Sequence, residues 1–406
     1  MPANFNVTPD TPAPIPSPGL GLRWLACWLL LTLLGWYGVT LMPLARTLAG
    51  ETGPPLTGEP PSAFILFGLN AGLALLGALT WGRAEGDRGW TARAAPWIMR
   101  AARLSLAYVL FIYGWQKVFL LQMPRPENTD LLTRFGEMNH MGLLWRTVGA
   151  SPVFQFVGGA LEVLSAFLLL HRRTALAGAL LAVPVMSFVL LLNLSFNVFV
   201  KLGAANLLLL AVAILWPHLP NLWRAVRNEP TRPLPAPPGL PGSRPLRALA
   251  RVAVLGYVLA APLQNNLTFV QRWSPRPVPH DLAGVYRVTA DSRPAPDIAN
   301  DCRWRTLALN AHRTSLAPLY RTEWMNCPHD PATGAGRYEV NGQTLTLTPA
   351  GGSPQRLRWA RQGAQLTLTG QDSGTPFTVT LEPAPARDTR LLNDHWRLFV
   401  TPAANE

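Results

Sequence analysis

The stretch ALAGALLAVPVMSFVLLLNLSFNVFVKLGAANLLLLAVAILW (Ala175–Trp216) decides the architecture, and Lys201 is its one charged residue. Two apolar runs, Ala175–Leu192 and Val200–Trp216, flank a short turn that carries Asn193 and Asn197. At 1.5 Å per helical residue, each run comes close to the roughly 30 Å of a bilayer's hydrocarbon core. Polar residues gathered near the turn, with only Ser187 and Asn206 deeper in the arms, read as a transmembrane helical hairpin.

The same pattern recurs upstream and once downstream. Apolar runs at Trp24–Leu44, Ala63–Trp81, Leu104–Leu121, Val153–Leu170 and Ala248–Leu263 complete an expectation of about seven spans between residues 22 and 264. The Trp24–Leu44 run is too long for a signal peptide's apolar region and is followed by further spans, so it reads as the first helix. Trp24, Trp81, Trp115, Trp145, Trp216 and Trp223 lie near span ends, where an interfacial aromatic belt belongs. Charged residues make up only 14% of the chain, against about 25% in soluble domains.

The net charge of +13 does not point to nucleic acid, because the basic residues sit mainly in the short connections between apolar runs. Arg23, five arginines in 82–103, Arg172 and Arg173, and six between 217 and 251 put fourteen on one side. Arg46, Arg125, Arg134 and Arg146 put four on the other. The positive-inside rule then predicts a cytoplasmic N-terminus in the cell membrane, and seven spans carry the C-terminal domain outside.

Residues 1–21, rich in Pro, Ala and Thr, read as a disordered cytoplasmic tail. Loop 122–152 is long for a membrane connection. Its Leu131, Leu132, Phe135, Met138 and Met141 predict a short helix on the outer surface. Loop 228–246 is a Pro-rich cytoplasmic spacer. From Asp281 the pattern changes to alternating segments: GVYRVT, RWRTLAL, GRYEV, QTLTLT, RLRWAR, AQLTLTG and FTVTLE. Gly-containing turns lie between them. About seven short strands over 281–400 predict an extracytoplasmic antiparallel β barrel or sandwich. Cys302 and Cys327 lie in this domain and form a disulfide candidate in an oxidising compartment, whereas Cys27 lies in an apolar run.

Few ionisable groups lie at membrane depth. Glu162 is about ten residues into its span, Lys117 is near the outer end of the third, and Lys201 near the outer end of the sixth. Gln116, Asn193, Asn197 and Asn206 lie nearby in sequence. A charge in hydrocarbon costs a few kcal/mol or more, so it pairs, snorkels or serves function. The functional reading is an outward-facing polar cavity with Lys117 and Lys201 around Glu162. It would suit a polar headgroup, a quinone ring or a proton relay. The structural reading is an ion pair at Glu162 and a snorkelling Lys201. Of 35 basic residues only Lys117 and Lys201 are Lys, which favours a compact ammonium at these places. His140, His171, His218, His312, His329 and His395 form no metal-ligand spacing, and no phosphate-binding loop or nucleophile motif is present.

YGWQKVF (Tyr113–Phe119), GGALEVLSAFLLLHRRT (Gly158–Thr174) and NVFVKLGAANLLLL (Asn197–Leu210) resemble the DoxX family of membrane proteins. The matching positions are Gly114, Lys117, Glu162, Lys201 and Asn206, in a four-helix unit at about 104–217. GVYRV and NDHWRLFV resemble the C-terminal part of longer members. The resemblance implies a subunit or accessory of a membrane redox system, with quinone as the possible cofactor and membrane redox subunits as partners beside the lipid bilayer. The competing reading is a non-enzymatic envelope protein whose helices anchor a ligand- or partner-binding β domain. A transporter is disfavoured, because corresponding halves show no inverted repeat and no paired broken helices.

Overall fold

In the computed structural model the apolar runs are helices, most of them longer than their apolar stretches. The structure describes residues 19–34, 41–52, 59–231, 243–273, 276–294, 303–313, 319–324, 335–349, 352–372 and 374–384. The tail before residue 19, most of the Pro-rich spacer, Cys302, Cys327, His329, His395 and the NDHWRLFV segment lie outside the described residues.

The helices are α1 (Leu20–Leu34), α2 (Met42–Leu48), α3 (Pro61–Glu85), α4 (Trp90–Val118), α5 (Asn128–Leu131), α6 (His140–Ala150), α7 (Pro152–Leu170), α8 (Ala175–Ser195), α9 (Lys201–Leu215), α10 (Leu219–Val226) and α11 (Arg244–Trp273). Among the described residues, six candidate spans are long and apolar enough to cross a membrane: those built on α3, α4, α7, α8, α9 with α10, and α11. They fit a multi-pass membrane protein. The expected first span appears as α1, whose 15 residues reach about 22 Å. The residues beyond it, 35–40, lie outside the described set.

The expected loop 82–103 is mostly helix. ARAAPWIMRAAR (Ala92–Arg103) has high helix propensity although it is not apolar, so α4 starts at Trp90 and runs through Pro96. Only Gly86–Gly89 connects α3 to α4, with φ of 48° and 64° at its two glycines, values that favour Gly.

The described residues divide into two compact units, within Met1–Gly114 plus Ala160–Leu263 and within Trp115–Gly159 plus Gln264–Glu406. In the first, helices meet through small residues: Ala74, Ala78, Ala102, Ala107, Ala166, Ala179, Ala182 and Ala211 are fully or almost fully buried. Without water between helices, close van der Waals packing of small residues drives association. At Gly178 an added Cβ would come 2.9 Å from the Leu169 backbone nitrogen, so α7 and α8 approach closely there. Phe111 of α4 and Phe167 of α7 pack edge to face, centroids 4.8 Å apart. α11 leaves Leu249, Val252 and Tyr257 exposed, as a lipid-facing helix does.

Among the described residues of this unit, three carboxylates cap helix starts, where the positive end of the helix dipole favours them. Glu51 accepts from Ser62 N (2.9 Å) and Oγ (2.7 Å). These bonds, with Arg46 nearby, hold its carboxyl below the usual range. Glu59 accepts from Lys201 N (2.8 Å) and Leu202 N (2.7 Å) at the start of α9. Glu85 accepts from the Thr91 amide and hydroxyl at the start of α4 and pairs with Arg23 at 3.2 Å.

The second unit contains a closed antiparallel barrel. Its strands are β2 (Gly284–Asp291), β3 (Trp304–Leu309), β5 (Leu319–Trp324), β6 (Ala335–Asn341), β7 (Thr344–Pro349), β8 (Gln355–Gln362), β9 (Gln365–Asp372) and β10 (Thr375–Pro383). The order is β10-β2-β3-β5-β6-β7-β8-β9. Closure removes the free edges an open sheet must protect and decides between the two β architectures read from the pattern. A separate pair joins β1 (Arg276–Pro277) to β4 (His312–Arg313). The β6–β7 turn places Gly342 at φ 55°, as a two-residue hairpin with Gly first requires.

Alternate residues point inward. Leu307, Leu309, Tyr338, Leu345, Leu347, Leu357, Leu366, Leu368, Val379 and Leu381 are all almost completely buried. The interior is a packed core. β5 was not read from the sequence because its inward positions are Tyr320 and Thr322, and a Thr at a core position breaks the apolar alternation. Burial pushes the Tyr320 phenol up to about 12.

Candidate functional site

Glu162 lies ten residues along α7, about 15 Å from its start, and is 1% exposed. Its helix is otherwise apolar apart from Gln155 and Ser165. Ser165 spends its hydroxyl on the Leu161 carbonyl one turn back, at 2.8 Å. Tyr113, five residues before the end of α4, lies within electrostatic range of Glu162. The first unit therefore sets a half-buried phenol within electrostatic range of a buried carboxyl in an apolar bundle.

The other expected site residues divide between the two units. Asn206 accepts from Trp28 Nε1 at 2.8 Å, tying α9 to α1. Lys201 Nζ donates to Asn197 Oδ1 at 2.9 Å. Asn197 has φ 52°, and Asn193 closes the same turn by donating to the Val200 carbonyl at 3.3 Å. These residues build the α8–α9 corner. Gly114 is buried at the edge of the first unit. Gln116 and Lys117 belong to the second unit, in the last turn of α4. There the Gln116 carbonyl accepts from Leu121 N at 2.8 Å, and the Lys117 carbonyl accepts from Leu120 N at 3.0 Å.

The second unit holds a polar cluster that pattern reading missed. The segment expected to be one surface helix is instead α5, a 3-10 turn at Phe135–Glu137, and α6. A capping box in which Glu127 and Asp130 take each other's backbone amides opens α5. Asn139 caps α6 by accepting from Gly142 N at 2.6 Å. The freed side chains bind the barrel. Asn128 Nδ2 donates to the Leu309 carbonyl at 2.8 Å, and Thr129 N donates to Asn310 Oδ1 at 2.9 Å. Glu127 meets the His312 ring at 3.2 Å and accepts from its amide at 3.3 Å. Glu137 pairs with Arg321. Asp130 holds Arg146 at 2.7 Å. Below them, the buried Tyr338 hydroxyl donates to the Asn310 carbonyl at 2.7 Å. The only sequence signal for this cluster was the E-N-T-D capping pattern at Glu127–Asp130.

Burial pushes the Glu127 carboxyl above its usual range, with Asp130 adding to the rise and His312 opposing it. A raised carboxyl pKa contributes stability below the unfolded value, near 4.5, and loses it as pH rises through the folded value. Relative to Glu127→Gln, the wild-type barrel should therefore lose stability as pH rises from about 4 to about 8. Thermal midpoints of the two proteins across that range check this. A difference that stays flat, or grows in favour of wild type, would contradict it.

Together these features define a multi-pass membrane protein with a closed C-terminal barrel whose end is bonded by a helix-connecting segment. The chain is 30% identical over 128 residues to the uncharacterized protein YwoB of Bacillus subtilis (strain 168), a match covering 32% of this chain and 81% of that protein. It belongs to the same family as YwoB. No family model matches the chain, and no solved structure matches it.

Proposed function

We propose that this protein is a DoxX-like accessory subunit of a quinone-linked membrane redox system, with Glu162 and Tyr113 as the headgroup-binding pair. The observation that carries this reading is a carboxyl 1% exposed within an apolar helix. Such a group is costly to bury unless it is bonded or used. A carboxylate accepts from a quinol hydroxyl and a phenol donates to a quinone carbonyl, so the pair suits both forms of one headgroup. Electron carriers would belong to the partner subunit. The barrel interior is filled by its own side chains, which favours a capping or partner-facing role for that domain over ligand storage.

The test is titration of the purified full chain with a short-chain quinone analogue, together with extraction of co-purified quinone. Glu162→Gln should weaken binding about tenfold, the scale of one hydrogen bond to a charged group. Tyr113→Phe should weaken it less. Purified protein that carries no quinone, and identical titrations for wild type and Glu162→Gln, would sink the reading. The arginine asymmetry supports a cytoplasmic N-terminus and an outer barrel; protease added outside sealed right-side-out vesicles should then cut the barrel and spare the Pro-rich spacer.

A further inference from the structure

Among the described residues, one end of the helical unit carries more guanidinium groups than carboxylates: Arg83, Arg88, Arg93, Arg100 and Arg103 against Glu85 and Asp87 in 82–103. Arg23 reaches Glu85 and Thr91 there, which brings the start of α1, the end of α3 and the start of α4 together. Alternating passes bring the α7–α8 corner, α10 and the start of α11 to the same end.

Arg100 and Arg103 sit one turn apart on α4, within electrostatic range of each other. They are the last charges before the uncharged stretch Leu104–Gln116, so they mark headgroup depth. Arg100 stacks on Trp97 at 4.6 Å. Arg103 Nε is buried and has no hydrogen-bond partner among the described residues.

Helix α10 adds an independent observation. Leu219, Leu222, Trp223 and Val226 fall at helical spacing on one face, and Trp223 and Val226 are 58% and 75% exposed. Arg227 lies over the Trp223 ring at 4.7 Å. A short helix with an open aromatic–aliphatic face and arginines beside it is built to lie in the membrane interface.

We propose that this end binds anionic phospholipid. Arg100 and Arg103 would take the headgroup phosphate, and α10 would lie among the neighbouring headgroups. Arginine suits the role because its planar fork meets phosphate oxygens in pairs and still stacks on tryptophan. Charge complementarity selects the occupant: a zwitterionic headgroup brings no net negative charge to a locally basic surface, whereas an anionic one does.

The test uses the full chain in detergent, titrated with dioleoylphosphatidylglycerol or dioleoylphosphatidylcholine. Thermal midpoint and lipid adducts in native mass spectra are the readouts. Phosphatidylglycerol should bind more tightly and raise the midpoint. Arg100→Gln with Arg103→Gln should weaken its binding about tenfold, leaving phosphatidylcholine unchanged. Should that pair fail to fold, Arg224→Gln with Arg227→Gln on exposed α10 should weaken phosphatidylglycerol in the same direction. The same charge change on the barrel, Arg356→Gln with Arg358→Gln, should have no effect. Equal affinity for the two lipids, equal loss in the barrel variant, or full displacement by inorganic phosphate at millimolar concentration would overturn the proposal.

Discussion

Tyr338→Ala is expected to destabilise the barrel by about 3–5 kcal/mol, the range for deleting a fully buried aromatic side chain, and Tyr338→Phe by about 1–2 kcal/mol. Tyr338 is 0% exposed, sits in the packed interior and meets the His280 ring edge at a centroid distance of 5.5 Å. Alanine removes that packing and leaves a void. Phenylalanine keeps the packing and removes only the hydroxyl that donates to the Asn310 carbonyl. Burial raises the phenol pKa well above its ordinary value, so the hydroxyl remains a donor at every working pH.

The effect should not stop at the barrel wall. Asn310 accepts from Thr129 N through its own side chain, so a displaced Asn310 releases α5. Hydrogen exchange followed by mass spectrometry should show Tyr338→Ala raising exchange in β6 and also in residues 127–131. Tyr338→Phe should raise exchange mainly in 127–131. If alanine loosens β6 while 127–131 stays protected, Asn310 does not couple the core to the segment.

The helices were legible because bilayer thickness imposes a length and an apolar composition that few other structures share. α7, α8 and α9 begin and end within a few residues of their apolar runs. α4 begins fourteen residues before its apolar run, because alanine and arginine sustain a helix without being apolar. In the barrel, strands whose inward positions are all apolar or aromatic were readable, and β5, where Thr322 follows Tyr320 on the inner face, was not.

The site was legible only in part, for a different reason. Glu162 stands out because a carboxylate in an apolar run is rare. Asn206 and Lys201 stand out similarly, yet their hydrogen bonds serve α1 and the α8–α9 corner. Glu59 and Glu127 do not stand out, because each lies in a polar, Pro-containing connection where an acid is unremarkable. Their meaning depends on partners more than a hundred positions away, a separation that periodicity within a window does not reach.

Glu59 carries the second large effect. Glu59→Ala should cost the helical unit about 1–3 kcal/mol, because the part-buried Lys201 and Leu202 amides lose their acceptor at the start of α9 and an orphaned donor costs up to that much when buried. This helix end is part-buried, so solvent replaces the lost acceptor only in part. Glu59→Gln separates the two contributions. It keeps one carbonyl oxygen and removes the negative charge, leaving one hydrogen bond and losing the interaction with the helix dipole, which is worth about 0.3–1 kcal/mol at exposed sites and up to about 2 kcal/mol when partly buried. A glutamine midway between wild type and alanine means both matter; a glutamine as damaging as alanine means charge dominates. Thermal unfolding in detergent measures the cost, and exchange at residues 200–206 locates it. Asn197 and Lys201 share the corner that Glu59 caps, and Asn206 bonds Trp28 one turn further along, so the alanine variant should loosen both contacts. An alanine variant within about 0.5 kcal/mol of wild type would mean that the α9 start is held by packing alone.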